Sequence, residues 1–117
     1  MTDLVETVKL PDSGHFQMDL QLTADIRVSA ETARKRVSTF VGREIADLLY
    51  GGPPDLVWQE QGVYWRVPII LASHSLGRIG QVGTIDVAVE TGELRLGEEV
   101  IAAIEDNAQR LAAGAAL

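Results

Sequence analysis

Residues 63–94 read VYWRVPIILASHSLGRIGQVGTIDVAVETGEL, and this stretch decides the fold. Apolar and polar residues alternate in both halves, and a cluster of turn-forming residues separates the halves. Side chains two residues apart lie on the same face of a strand, so each half predicts a strand with one buried face. The predicted buried residues are Val63, Trp65, Val67, Ile69 and Leu71 in the first strand, and Ile79, Ile85, Val87 and Val89 in the second. The stretch therefore predicts a β-hairpin.

Two further segments predict helices. From Ala30 to Leu49, apolar residues recur every three or four positions, directly after Ser29, which can cap a helix N-terminus. Glycine and proline pairs at 51–54 then predict the end of this amphipathic helix. A second helix is predicted at 98–113, because it begins with two glutamates where the helix dipole favours negative charge.

The rest of the chain predicts strands and loose ends around these elements. Residues 15–22, HFQMDLQL, alternate strictly and predict a half-exposed edge strand, and residues 55–59 predict a short strand. Residues 1–14 predict a loose arm, and residues 114–117 a frayed tail. The expected architecture is a single α+β domain over residues 1–117. Its antiparallel, meander-like sheet carries the long helix on one face, and the second helix covers an edge or the other face.

Composition narrows the class of protein. The chain has 117 residues, no cysteine and a formal net charge of −7. The lack of cysteine excludes disulfides, thiolate metal sites and a cysteine nucleophile, and the acidic excess disfavours nucleic acid. No secretory signal is visible, and the longest apolar run, 67–72, is too short to cross a bilayer. We therefore expect a soluble cytoplasmic protein that binds neither nucleic acid nor membranes.

No residue pattern predicts catalysis, a metal or a cofactor. His15 and His74 are isolated from each other and from any second ligand at metal-binding spacing. His74 lies between two serines of the predicted hairpin loop, and neighbouring loop residues do not form a catalytic triad. The G-x-x-G-x-x-G spacing of 77–83 lacks the following helix that a phosphate site needs. Gly80 and Gly83 instead permit a bulge or close packing in the second strand.

Four residues are candidates for a binding site: Trp58, Tyr64, Arg66 and Asp86. Folding the hairpin about Ser75 places Asp86 opposite Tyr64 and diagonal to Arg66. Two interpretations follow: a charged recognition spot on an open sheet face, or a cross-strand ion pair contributing about 0.2–1 kcal/mol. Trp58 and Tyr64 would form an exposed anchor for a partner, because such aromatic side chains are enriched at interface hot spots.

The order of a long helix, a glycine stop, a short strand, WRVPII and IDVAVETGEL resembles the PepSY-type module (peptidase propeptide and YpeB). The resemblance covers about Ala30 to Leu96. The corresponding positions are Trp65, Val67, Asp86, Thr91, Gly92 and Glu93. It implies a helix packed on an antiparallel sheet, in a class of mostly secreted or membrane-tethered domains that bind or restrain peptidases. The chain is also similar to small uncharacterised bacterial proteins.

Three hypotheses for the function remain. The first is a non-enzymatic interaction or regulatory module, self-associating through an exposed strand such as 15–22. The second is an antitoxin-like acidic partner that neutralises a basic protein. The third is a small ligand-binding domain or minor enzyme that uses Tyr64, Arg66 and Asp86. We also predict a homodimer, because both faces of the 63–89 hairpin carry apolar residues.

Overall fold

The computed structural model of the chain describes residues 24–115. The elements in this range are α1 (Ala30–Glu44), β1 (Leu49–Gly51), β2 (Asp55–Gln59), β3 (Gly62–Ser73), β4 (Gly77–Ala88) and α2 (Glu98–Gly114). The four strands form one antiparallel sheet, so the predicted α+β class is confirmed. The arm predicted at 1–14 and the strand predicted at 15–22 lie outside the described residues, as do residues 116 and 117.

The central strand of the sheet is β3. One of its edges pairs with β4, and its other edge pairs first with β2 and then with β1. Strands β2, β3 and β4 form a meander, whereas β1 lies end to end with β2 along the same side of β3. The Pro68 carbonyl accepts a hydrogen bond from the Gly52 amide at 2.8 Å, so this backbone unit faces the break between β1 and β2. Pro68 therefore lies in the central strand at a gap on one side, where no strand of residues 24–115 pairs with it and its missing N–H costs no ladder hydrogen bond.

The first helix is shorter than predicted. It ends at Glu44, and Leu49 to Gly51, predicted as the helix end and its stop signal, form strand β1. The Gly51 amide donates to Ser38 Oγ at 2.8 Å, and a Cβ atom on Gly51 would lie 2.9 Å from Val67 Cγ1 and 3.1 Å from the Arg34 carbonyl oxygen. The glycine thus permits a strand to lie tightly between α1 and β3, a requirement that the local sequence does not reveal.

Two irregularities in β4 alter the register of the hairpin. The register shifts between Ile69 and Ile70 and again between Leu71 and Ala72. Each shift leaves one residue of β4 without a partner in β3, first Val82 and then Ile79. These are β-bulges, which the glycines of this strand permit. The first bulge inverts the side-chain alternation of β4, and the second restores it. Odd-numbered residues of β4 therefore face the helices on both sides of the two bulges, as the sequence predicts.

Both helices pack on one face of the sheet. Ile104 of α2 belongs to the same buried cluster as Val37 of α1 and Ile69 of β3. Gly83 is paired with Ile69, and a Cβ atom on Gly83 would lie 2.7 Å from Ile104 Cγ1. Asn107 Nδ2 also donates to the carbonyl oxygen of a bulge residue of β4 at 2.9 Å. Helix α2 therefore covers β4 beside α1, and not the opposite face of the sheet.

Candidate functional site

The sheet face opposite the two helices carries a cleft of ≈ 750 Å³. Its floor comes from β3 and β4, and its walls come from the end of β2 and the segment 93–100. The lining includes Gln59, Tyr64, Arg66, Thr84, Asp86, Ala88, Glu93, Arg95, Leu96 and Glu99. Clefts that combine apolar surface with a few fixed polar groups are common binding sites. This cleft therefore defines the candidate site.

One wall of the cleft depends on the turn that follows β4. Gly92 adopts a φ of +79°, a conformation that favours glycine, and its amide donates to the Ala88 carbonyl at 2.7 Å. The chain then returns beside β4, where Leu94 forms a β-bridge with Val87. The Arg95 amide donates to the Asp86 carbonyl oxygen at 2.9 Å. These bonds place the Arg95 side chain over the floor of the cleft.

The floor contains an ion pair between Arg66 and Asp86, which lie directly opposite each other. Arg66 Nε donates to Asp86 Oδ1 at 2.9 Å, and Arg66 Nη2 donates to Asp86 Oδ2 at 2.9 Å. Gln59 Nε2 donates to the same Oδ2 at 3.1 Å. The prediction that Asp86 faces Tyr64 is wrong by two residues, because each of the two bulges in β4 adds one residue to the register.

The ion pair is shielded from solvent. The Arg66 side chain is 29% exposed and the Asp86 side chain 14%. The hydrogen bonds with Asp86 raise the pKa of Arg66, and the attraction between the charges raises it further, whereas burial lowers it. Arg66 therefore remains a cation under all ordinary conditions and serves as a fixed charge, not as a proton donor.

Tyr64 and Arg95 complete the floor. The Arg95 guanidinium carbon lies 5.0 Å from the centre of the Tyr64 ring, within range of a cation–π interaction. Arg95 Nη1 also donates to Gln59 Oε1 at 2.7 Å, which links it to the Asp86 network. Tyr64 is buried, so the prediction that it stands exposed is wrong. Sequence reasoning did not select Gln59 or Arg95, because only the strand pairing brings them to Asp86.

Trp58 lies apart from this network. It pairs with Val63 in the β2–β3 ladder, so its side chain is on the helix-bearing side of the sheet, opposite to Tyr64. Its indole Nε1 is buried and has no hydrogen-bond partner within residues 24–115. The expected joint anchor of Trp58 and Tyr64 is therefore not formed, whereas Tyr64, Arg66 and Asp86 do come together.

The described part of the chain offers no cluster of three or more histidine, cysteine or carboxylate residues that could hold a metal ion. His74 is exposed at the tip of the β3–β4 hairpin, and His15 lies outside the described residues. Neither α1 nor α2, the two helices of the described residues, is long and apolar enough to cross a membrane.

The chain matches no family model, no curated protein and no solved structure, so the PepSY-type resemblance stays a prediction.

Proposed function

We propose that this protein is a non-enzymatic interaction module that binds a partner in the cleft on the helix-free sheet face. The observation that carries the proposal is that the charged groups on the cleft floor are already hydrogen-bonded to other residues of the floor. Both carboxylate oxygens of Asp86 accept hydrogen bonds, from Arg66 and from Gln59. A general acid or base must reach a proton of the substrate, and this carboxylate is already occupied. The arrangement favours recognition over reaction.

The ordered polar side chains of the cleft floor also support binding. Arg95 is held by a hydrogen bond to Gln59 and by the ring of Tyr64, so several polar groups are ordered before a partner arrives. Ordering side chains during association costs affinity, and a site that is already ordered avoids that cost. Arginine is also enriched among residues that contribute strongly to binding. The cleft thus has the composition of a small recognition surface.

Site-specific photo-cross-linking in the native host tests this proposal. A photoreactive amino acid replaces Leu96, which is exposed and lines the cleft but takes no part in the polar network. The matched control replaces Leu76, an equally apolar exposed residue at the tip of the β3–β4 hairpin. We expect a defined covalent adduct from position 96 and not from position 76. Equal adducts from both positions, or none from position 96, would overturn the proposal.

A positively charged partner is the second candidate, in line with the antitoxin-like hypothesis. Glu93 and Glu99 are exposed at one wall of the cleft, whereas Arg66 is engaged by Asp86 and Arg95 by Gln59. Gln59 is neutral and leaves the charge of Arg95 in place, but the two glutamates outnumber this one cation. The net charge at the wall is therefore negative, which attracts a basic surface. Binding should then weaken steeply as salt rises from about 0.05 to 0.5 M, since screening acts over shorter distances at higher ionic strength. Salt-independent binding would exclude this candidate.

A further inference from the structure

Strand β2 has one edge that no strand within residues 24–115 pairs with. It pairs with β3 on one side, and no other strand of the described chain runs along its other side. The outer edge of such a strand presents backbone N–H and C=O groups that can pair with another strand. The five residues of β2, DLVWQ, carry a single charge, at Asp55. An edge with so little charge is poorly protected against pairing.

We propose that the β2 edge pairs with the β2 edge of a second copy of this chain, as an antiparallel ladder with its two-fold axis at Val57. In this register Leu56 lies opposite Trp58 of the partner subunit. The two-fold symmetry produces the same contact a second time, between Trp58 and Leu56 of the partner subunit. Leu56 pairs with Trp65 of β3, and Trp58 pairs with Val63. Both side chains therefore lie on the helix-bearing face of the sheet. Leu56 is 45% exposed in the single chain, so the pairing would cover it. A two-fold interface needs this self-complementarity.

The charges select the same register. With the axis at Val57, Asp55 lies opposite an amide, Gln59 of the partner subunit. With the axis at Asp55, the two carboxylates would face each other, which destabilises a strand pair. Pro53 and Pro54 precede β2 and cannot donate to a ladder, so pairing ends where the strand ends. The register with its axis at Val57 therefore avoids the contact between like charges.

The length of the edge predicts a weak dimer. Five residues extend over about 17 Å at the usual strand rise of about 3.4 Å per residue. A single short strand pair buries less than the roughly 1,200–2,000 Å² of a stable interface. We therefore expect a dissociation constant above about 1 µM, and a protein that is monomeric when dilute and dimeric when concentrated.

Cysteine cross-linking tests the register directly, because the chain contains no cysteine of its own. Val57→Cys places the two thiols opposite each other at the axis, where the expected Cα separation of about 4.5–5.5 Å suits a disulfide. Tyr50→Cys is the matched control, an exposed position on β1 at the same side of β3. We expect a covalent dimer from Val57→Cys under mild oxidation and at most a trace from Tyr50→Cys. Equal yields from the two variants would overturn the proposal.

Sedimentation velocity over a range of concentrations provides the second test. Leu56→Lys introduces a charge opposite Trp58 of the partner subunit and should raise the dissociation constant at least about tenfold. Leu76→Lys, at the hairpin tip, should behave as the unaltered protein. A protein that stays monomeric at about 1 mM, or a Leu56→Lys variant that dimerises normally, would contradict the proposal. Leu56 lies on the face opposite the cleft, so this outcome is independent of the proposed cleft function.

Discussion

Ile104 of α2 packs directly over Gly83 of β4, in the space that a side chain at position 83 would need. A Cβ atom at Gly83 would lie 2.7 Å from Ile104 Cγ1, and one at Gly80 would lie 3.3 Å from Leu111 Cδ1. Ile104 and Leu111 are seven residues apart and thus lie on one side of the helix. The close packing that the sequence predicts at Gly80 and Gly83 is therefore confirmed, and the element that packs against both glycines is α2.

Gly83→Ala should destabilise the protein by about 1–3 kcal/mol, because the added methyl group meets Cγ1 of Ile104, which is attached to the branched Cβ of this buried side chain and has little room to move. Gly80→Ala is the matched control. It meets only the flexible end of Leu111, so its effect should stay within about 1 kcal/mol. Urea unfolding of the two variants measures the difference. Equal losses of stability would show that α2 does not depend on the space at Gly83.

Trp65→Phe and Trp58→Phe should differ in stability. Trp65 Nε1 donates to the Val28 carbonyl oxygen at 2.7 Å, so removing it leaves a buried acceptor unpaired and costs about 1–3 kcal/mol. Trp58 Nε1 is buried without an acceptor in the described range, so its removal relieves an unpaired group and should cost less. Thermal unfolding followed by circular dichroism compares them. A larger loss for Trp58→Phe would contradict this account of the two indoles.

The Arg66–Asp86 pair should show a larger coupling energy than an exposed ion pair of this protein. A double-mutant cycle with Arg66→Ala and Asp86→Ala should give about 0.5–3 kcal/mol, because the pair is shielded and bidentate. Arg110 and Asp106 of α2 form the control, with a 2.8 Å contact and side chains 72% and 66% exposed. Their coupling should be about 0.3–0.5 kcal/mol, as for other helix surface pairs. Similar coupling in the two cycles would refute the shielding argument.

Gly92→Ala should destabilise the protein more than Gly77→Ala. Both glycines have positive φ, +79° and +69°, so each substitution pays the cost of a left-handed residue, about 1–2 kcal/mol. At Gly92 the new Cβ would also displace the guanidinium of Arg36, which donates to the Gly92 carbonyl oxygen at 3.2 Å, and would lie 3.1 Å from Cγ2 of the buried Val28. At Gly77 the space is open. Denaturant unfolding should give a lower midpoint for Gly92→Ala than for Gly77→Ala. Equal midpoints would show that the Arg36 contact does not contribute to stability.

The alternation within residues 63–94 was enough to predict the hairpin and its buried face. Alternation is a local property, because successive side chains of a strand point to opposite sides wherever the strand lies. Val67, Ile69, Ile85 and Val87 are accordingly all in the buried cluster. The helix start at Ser29 is local as well, since its side chain accepts from the Thr32 amide at 3.1 Å. For these features the sequence contains the whole physical cause.

Other features depend on contacts between residues far apart in the chain. The strand at Leu49–Gly51 depends on the fit of Gly51 against Val67, and the face that α2 covers depends on the space left at Gly83. The meeting of Asp86 with Arg66 depends on two bulges that exist only once β4 has paired with β3. A local sequence pattern cannot predict such contacts, because side-chain packing and strand register depend also on the residues of the neighbouring element. The tertiary structure therefore decided which residues join Tyr64, Arg66 and Asp86 in the cleft, among them Gln59 and Arg95.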